Sequence, residues 1–419
     1  MATTGPERIA TLDIVRGFAV MGILAMNIVA FAMPPAAYIN PTAYGSAGPI
    51  DFASYAFNFV LIDGKMRGLF SFLFGASMLL VIQKAEAKGE NPASVHFRRQ
   101  LWLLLFGALH FYLIWYGDIL FGYALIGMVA WFFRDRSPRV LIAWGVLLVL
   151  LEFAMMAGMA ASASSMAQAV TDPNVSAETL RSWNEMTEYV RVPTAAEIGD
   201  QLALILGPWW GVSHAQLTEH RFDPLIFSLM FGPETLAYML FGMAALKSGY
   251  LTGQWSDADY GRAAIVGFAV AIPFYLILIW QIFANGFSVS ALFKFSIAAT
   301  VPIRPIMVAA IAALVILLTR ENGWLTQRIA AAGRSAFTNY LGTSILMTGL
   351  FYGWGIGLFG EIGRAQLWLV VVAIWVLMLA WSKPWLDHFQ YGPFEWLWRS
   401  LARWEIQPMR KRQPEPLPA

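Results

Sequence analysis

TLDIVRGFAVMGILAMNIVAF, Thr11–Phe31, is long and apolar enough to cross a bilayer as a helix, yet it carries Asp13, Arg16 and Asn27. About twenty apolar residues span the hydrocarbon core as a helix. A charged side chain at mid-bilayer costs about 3 kcal/mol on insertion scales, so such groups face the interior of a helical bundle. Asp13 and Arg16 are three residues apart, share a helix face and can pair. The pair has a structural reading, an ion pair that fixes helix docking, and a functional one, the start of a polar line along a substrate path. Asn27 follows Arg16 by eleven residues, roughly three turns, so it lies nearly above it and about 16 Å further along.

The rest of the chain has the same character. Of its 419 residues 58% are hydrophobic and 13% charged, where soluble domains run near 25% charged. The net charge of +2 supplies no basic stripe for nucleic acid. The absence of cysteine excludes disulfides and thiolate chemistry. The five histidines, His96, His110, His214, His220 and His388, are scattered, so no metal site is expected. Ala30-Phe31-Ala32 resembles a leader-cleavage site, but Asp13, Arg16 and Asn27 spoil the apolar region a cleaved leader needs.

Working outward, the hydropathy pattern gives ten candidate spans: 12–33, 66–83, 100–117, 119–133, 140–161, 224–246, 262–284, 298–319, 336–356 and 366–386. Residues 52–63 read as an interfacial or re-entrant helix leading into the second, and 34–50 as an ordered loop. With the N-terminus inside, eighteen Lys and Arg fall in cytoplasmic segments. Only Arg181, Arg191, Arg221 and Arg364 fall outside. That asymmetry predicts N-in, C-in. The expected architecture is all-α: one polytopic transmembrane bundle over 1–404 with about ten spans. An outer insertion at 162–222 should hold short soluble helices, started by signals such as Ser176, and a Trp-rich interfacial stretch. The charged, Pro-rich tail, 405–419, is expected to be disordered and cytoplasmic. No internal repeat is visible.

Further polar clusters interrupt the spans. In IDGKMRGLFSFLFGAS (Ile62–Ser77), Lys65 and Arg67 are expected at the outer mouth, pairing with Asp63 or binding an anion. In GALHFYLIWYGDILFGYAL (Gly107–Leu125), His110 is a candidate general base. Asp118 lies eight residues on, about 12 Å along a helix axis, so no direct contact is expected. In GRSAFTNYLGTSILMTGLFYGWG (Gly333–Gly355), Asn339, Tyr340, Thr343 and Ser344 make the span polar, and the Gly349, Gly353, Gly357 spacing suits close helix packing. Arg304, between Pro302 and Pro305, should mark a helix start and an anion-binding spot. HFQYGPFEWLWRSLARW (His388–Trp404) should lie at the inner interface.

Five of these segments together, TLDIVRGFAVMGILAMNI, GLFSFLFGAS, WYGDIL, GRSAFTNYL and YGPFEWLWRSL, resemble the YeiB-type bacterial membrane proteins, a family defined by domain of unknown function 418. The match runs from Arg8 to about Arg403. The resemblance implies a multi-pass protein of the bacterial inner (plasma) membrane. It also implies distant kinship with transmembrane acyltransferases, including lysosomal heparan-glucosaminide acetyltransferase and the sugar O-acyltransferases. Those proteins share the LD-x-x-RG start, here Leu12-Asp13-Ile14-Val15-Arg16-Gly17. The sugar enzymes place a histidine eleven residues after that arginine, where this chain has Asn27. An amide can orient a substrate or donate to an oxyanion, but it is no general base.

Three functions follow as expectations. In the first, an acyltransferase takes acyl-CoA at the cytoplasmic mouth, with Arg98, Arg99 or Arg134 meeting its phosphates. Asp13, Arg16 and Asn27 line the route, and His110 with Asp118, or His214 or His220, deprotonates a small-molecule acceptor. Lys65, Arg67, Arg304, Asn339 and Tyr340 complete the expected binding residues. In the second, the protein transports or flips a small organic anion. In the third, it is a non-catalytic membrane partner. Membrane lipid is the expected surrounding, and homodimerisation is left open.

Overall fold

The computed structural model describes residues 10–321 and 323–411. Arg8 and the tail beyond Lys411 lie outside these. Among the described residues there is no β-strand; one isolated bridge joins Phe389 and Arg410. The helices are α1 (Ala10–Ala32), α2 (Pro49–Phe57) and α3 (Lys65–Ala87), then α4 (Pro92–Leu113), α5 (Leu120–Ala130) and α6 (Pro138–Ala169). The insertion holds α7 (Ala177–Thr187), α8 (Ala195–Ile205) and α9 (Trp209–Thr218). Next, α10 (Asp223–Met230) and α11 (Gly232–Lys247) meet at a bend of 60°. Then come α12 (Asp257–Ala284), the single turn α13 (Val289–Ala291), α14 (Arg304–Leu318) and α15 (Trp324–Arg334). The chain closes with α16 (Ala336–Phe351), α17 (Leu367–His388) and α18 (Pro393–Arg403).

This is a polytopic helical membrane bundle. Helices satisfy their own backbone polar groups, which lipid cannot do. Every expected span contains helix, but among the described residues five helical stretches are long and apolar enough to cross a membrane, one of them Pro49–Ala87 with α2 and α3 taken together, or six with the bent pair α10–α11. The apolar stretches of α5 and α14 are shorter than a full crossing. Helix α16 stops at Phe351, so Gly353 and Gly357 lie beyond it in turns. There Gly353 packs against the backbone of Leu206, after α8, and not against a second helix.

Helix α1 is the central post, with 83% of its apolar window buried against 28%, 33% and 22% for α6, α12 and α17. The outer faces of those three carry exposed Leu, Ile, Val and Trp side chains, as lipid-facing surfaces should. Lipid supplies little hydrophobic drive between helices, so close packing at small residues holds them together. A Cβ on Gly333 of α15 would lie 1.8 Å from the Asp13 carbonyl oxygen of α1, and one on Gly17 would lie 2.0 Å from that of Ile329. Helix α15 therefore runs antiparallel to the start of α1 with backbone against backbone. The same arrangement joins α3 to α11, through Gly75 on Met239 and Gly242 on Phe72.

Of the expected start signals Ser176 begins a helix, while Asp172-Pro173 lies in a turn before it. Ser176 accepts from the Thr179 N–H at the head of α7, and Thr194 with Glu197 forms a capping box on α8. In α9, Trp210 is exposed while the Trp209 indole donates to the Leu113 carbonyl at 2.6 Å. The expected disorder of the tail does not extend to its first residues. Gln390 N–H donates to Met409 O at 2.9 Å, and the Trp396 indole to Gln407 O at 2.7 Å, so 405–411 lie back on the end of α17 and on α18.

Gly333→Ala should force α1 and α15 apart and cost about 1–3 kcal/mol, the usual penalty of overpacking. Gly342→Ala, where a Cβ meets nothing within 4 Å, should be neutral or stabilising. Thermal unfolding of both variants in detergent checks this, and equal melting temperatures would refute the backbone seam.

Candidate functional site

The turn after α4 builds the first site. Ile114 and Trp115 N–H both donate to the His110 carbonyl, which ends the helix and folds 114–119 back. Gly107 permits this return, because a Cβ there would sit 2.3 Å from the Phe121 nitrogen at the head of α5. Asp118 then uses both oxygens. Oδ1 accepts from Phe121 N–H at 2.7 Å, and Oδ2 meets His110 Nδ1 at 2.7 Å. Both side chains are fully buried. The expectation that they stay apart fails because α4 does not continue through Asp118. An acceptor carboxylate at Nδ1 assigns the proton to that nitrogen and the lone pair to Nε2. Nε2 is buried and without a hydrogen-bond partner.

Around His110 stand the Tyr340 ring at 5.2 Å and the Trp115 ring at 6.4 Å, centroid to centroid. The Tyr340 hydroxyl accepts from Ile119 N–H at 3.2 Å, which pins the turn to α16. Trp115 stacks on Phe31 of α1 at 3.8 Å. Both rings line a small cavity of about 10 Å³, with Asn27, Thr343 and Ser344 on its walls. The Trp115 indole nitrogen is also buried and unpartnered. Asn27 thus lines a cavity, on the face of α1 expected from its spacing to Arg16. His220 has an aspartate partner too, Asp223 at 3.0 Å, but at the partly exposed start of α10. His214 is exposed.

At the other end of the same face, Arg16 bonds Asp13 at 3.0 Å and Ser77 Oγ of α3 at 2.7 Å. The expected pair forms, and it also docks α1 on α3. Asn339 is occupied within the protein: it donates to Ala332 O and Ser382 Oγ and accepts from the Trp381 indole. Arg98 is half-buried and bonds the Ser94 carbonyl. The Arg99 guanidinium lies 4.1 Å from the Trp398 ring centroid, and Arg399 lies over Tyr391 at 4.6 Å. Neither has a carboxylate within ion-pair distance among the described residues.

A second cluster occupies the middle of the bundle. Lys65 and Arg67, expected at the outer mouth, stand at mid-depth, since the next residue to Lys65, Met66, packs against Gly22, halfway along α1. The chain comes this far inward as helix, through α2 and a wide π-helical turn (Asn58–Ile62), before breaking at Gly64 with φ +69°. Lys65 bonds the Phe59 carbonyl and lies 3.5 Å from the Tyr275 ring centroid. Glu234, only 1% exposed, accepts from Arg67 at 2.5 Å on one oxygen and from Arg304 at 2.5 Å on the other. Arg304 does start α14, but the anion it holds is the protein's own carboxylate. Glu152 joins the cluster, accepting from Glu234 N–H at 3.4 Å, and its other oxygen is unpartnered. Sequence reasoning missed Glu152 and Glu234, although each is a lone acid inside an apolar run, LLVLLEFAMM and GPETLAYMLF.

Glu234→Gln should strand two buried guanidiniums and cost about 3–5 kcal/mol, as removing one partner of a buried ion pair does. Replacing the whole cluster with Glu234→Leu, Arg67→Met and Arg304→Met should restore much of it. Melting temperatures in detergent decide. A single variant as stable as wild type would remove the cluster from its structural role.

Comparison with known proteins gives consistent relatives. The chain is 32% identical over 427 residues to the uncharacterized protein YxaH of Bacillus subtilis, covering 97% of each chain. It is 31% identical over 408 residues to the uncharacterized protein YeiB of Escherichia coli, covering 94% of this chain and 96% of that one. An uncharacterized 39.9 kDa protein in the amylase 3'region of Bacillus acidopullulyticus is 28% identical over 399 residues, 94% of each. No solved structure matches. Residues 245–405 match the description of a protein of unknown function, DUF418. With a near full-length relative above 30% identity and that match, the chain belongs to the YeiB-type DUF418 family of membrane proteins.

Proposed function

We propose that this protein is an acyltransferase of the bacterial inner membrane, moving an acyl group from cytoplasmic acyl-CoA to a hydroxyl or amine of an envelope or other small-molecule acceptor. The observation that carries the reading is the buried His110–Asp118 pair, its imidazole against Tyr340 and Trp115, the two rings that line the Asn27 cavity. Asp118 fixes the tautomer, as the third group of a catalytic triad does. His110 Nε2 takes the acceptor proton as the acceptor oxygen or nitrogen attacks the thioester carbon. The C–S bond then breaks, and the same proton goes to the leaving thiolate, giving the acylated acceptor and free CoA. Asn27 or the Trp115 indole donates to the oxygen that becomes negative in between. The guanidiniums of Arg99 and Arg399, in no ion pair among the described residues, with Arg98 and Arg134, supply positive charge for the CoA phosphates.

A specific observation favours a second reading, transport of a small organic anion. Three cationic residues, Lys65, Arg67 and Arg304, stand at mid-depth beside a break between α2 and α3, as broken helices do in transporters.

Purified protein with labelled acetyl-CoA and an envelope extract as acceptor separates the two. Label should pass to the extract with release of CoA. His110→Ala should slow this by about 10²–10⁴, the usual contribution of a general base, and Asp118→Asn should slow it as well. Counterflow of an anion into vesicles with no covalent change, insensitive to His110→Ala, would instead establish transport.

A further inference from the structure

Helix α18 lies across the start of α4 and brings arginines of both helices together. The Trp398 indole donates to the Arg99 carbonyl at 2.9 Å, and the Arg99 guanidinium lies over the same ring. Arg399 and Arg403 are four residues apart and share a face of α18. Both repel the Arg99 guanidinium, while Arg403 and Arg16 of α1 repel that of Arg399. Arg16 has Asp13 as its counter-ion. Glu395, one turn before Arg399, attracts it. The Glu395 oxygens, however, already accept from the Phe337 and Thr338 N–H groups and the Thr338 hydroxyl at the head of α16. Three guanidiniums, Arg99, Arg399 and Arg403, thus stand around one occupied carboxylate, and none of them is in an ion pair among the described residues.

The surface beside this cluster is apolar. Leu101, Leu105 and Leu109 are exposed at four-residue intervals, a stripe that runs along α4 away from the arginines. Trp404, exposed at the end of α18, meets Trp102 of α4 with ring centroids 5.9 Å apart. Tryptophans gather at headgroup level in a bilayer, so this pair marks where the stripe leaves the hydrocarbon. An excess of guanidinium charge at that level, with an apolar stripe leading into the membrane, is complementary to one molecule that carries both an anion and long apolar chains. The planar guanidinium fork also matches phosphate oxygens. No enclosed cavity is required, because the chains stay in the bilayer against α4. We propose that Arg99, Arg399 and Arg403 bind an anionic phospholipid, its phosphate on the guanidiniums and one acyl chain along Leu101, Leu105 and Leu109. The site does not rest on the acyl-transfer reading. The same guanidiniums cannot hold a CoA phosphate at the same time, so the two anions compete for them.

The test is binding of tail-labelled phosphatidylglycerol to the purified full chain in detergent micelles, with phosphatidylcholine carrying the same label beside it. Phosphatidylglycerol should bind saturably and about tenfold or more tightly, since each arginine near an anionic lipid contributes about a fivefold preference. Added salt should erode the difference. Arg403→Gln, at an exposed position, should lower the preference about fivefold with no change in melting temperature. The double variant Arg99→Gln/Arg403→Gln should erase it. Arg262→Gln removes an exposed cation from the start of α12 and should leave it intact. Equal binding of the two lipids overturns the proposal. So does a preference that survives the double variant, or one that Arg262→Gln lowers as much as Arg403→Gln does, which would reduce it to diffuse surface charge. Binding of CoA lost in the double variant, with no preference for phosphatidylglycerol, would give the cluster to the acyl donor and also overturn the lipid site.

Discussion

Glu234 holds Arg67 with one oxygen and Arg304 with the other, and this single carboxylate ties α11, α3 and α14 together at mid-depth. Without water to solvate them, those three charges can exist there only in one another's company. Their position fixes where α3 and α14 begin. It also accounts for Gly64: the Arg304 side chain crosses it so closely that a Cβ would meet Nε at 2.6 Å. The break between α2 and α3 follows from the requirement to bring Arg67 and Arg304 onto one acid.

The fold class, nearly every helix and the family were legible in the sequence because hydropathy and short motifs are local signals. Depth was not. Lys65 and Arg67 fall at the edge of the apolar run 66–83, which puts them at a membrane surface if that run is one crossing. A helix that dips to mid-depth and restarts breaks the assumption that each apolar run crosses once. The His110–Asp118 contact was hidden for a related reason. Spacing along an axis measures distance only while the helix lasts, and α4 ends three residues after His110. Glu234 and Glu152 were visible as lone acids in apolar runs, but their partners come from helices far away in sequence. The Asp13–Arg16 pair and the Asn27 face were read correctly because both are properties of one uninterrupted helix.

Small cavities lie on opposite sides of α1. Asn27 faces one of them, while Met26 and Val29 face the other. The two cavities thus share a single wall about one helix thick.

The glycine contact between α1 and α15 has a mechanical consequence. Backbone lies on backbone at Asp13, Gly17, Ile329 and Gly333, with no side chain between to repack. That end of α1 acts as a fulcrum. A tilt of α1 about this end would move its far half, where Asn27 sits. The lever arm from Gly17 to Asn27 is ten residues, about 15 Å, so a tilt of a few degrees at the seam displaces the cavity wall by roughly an ångström.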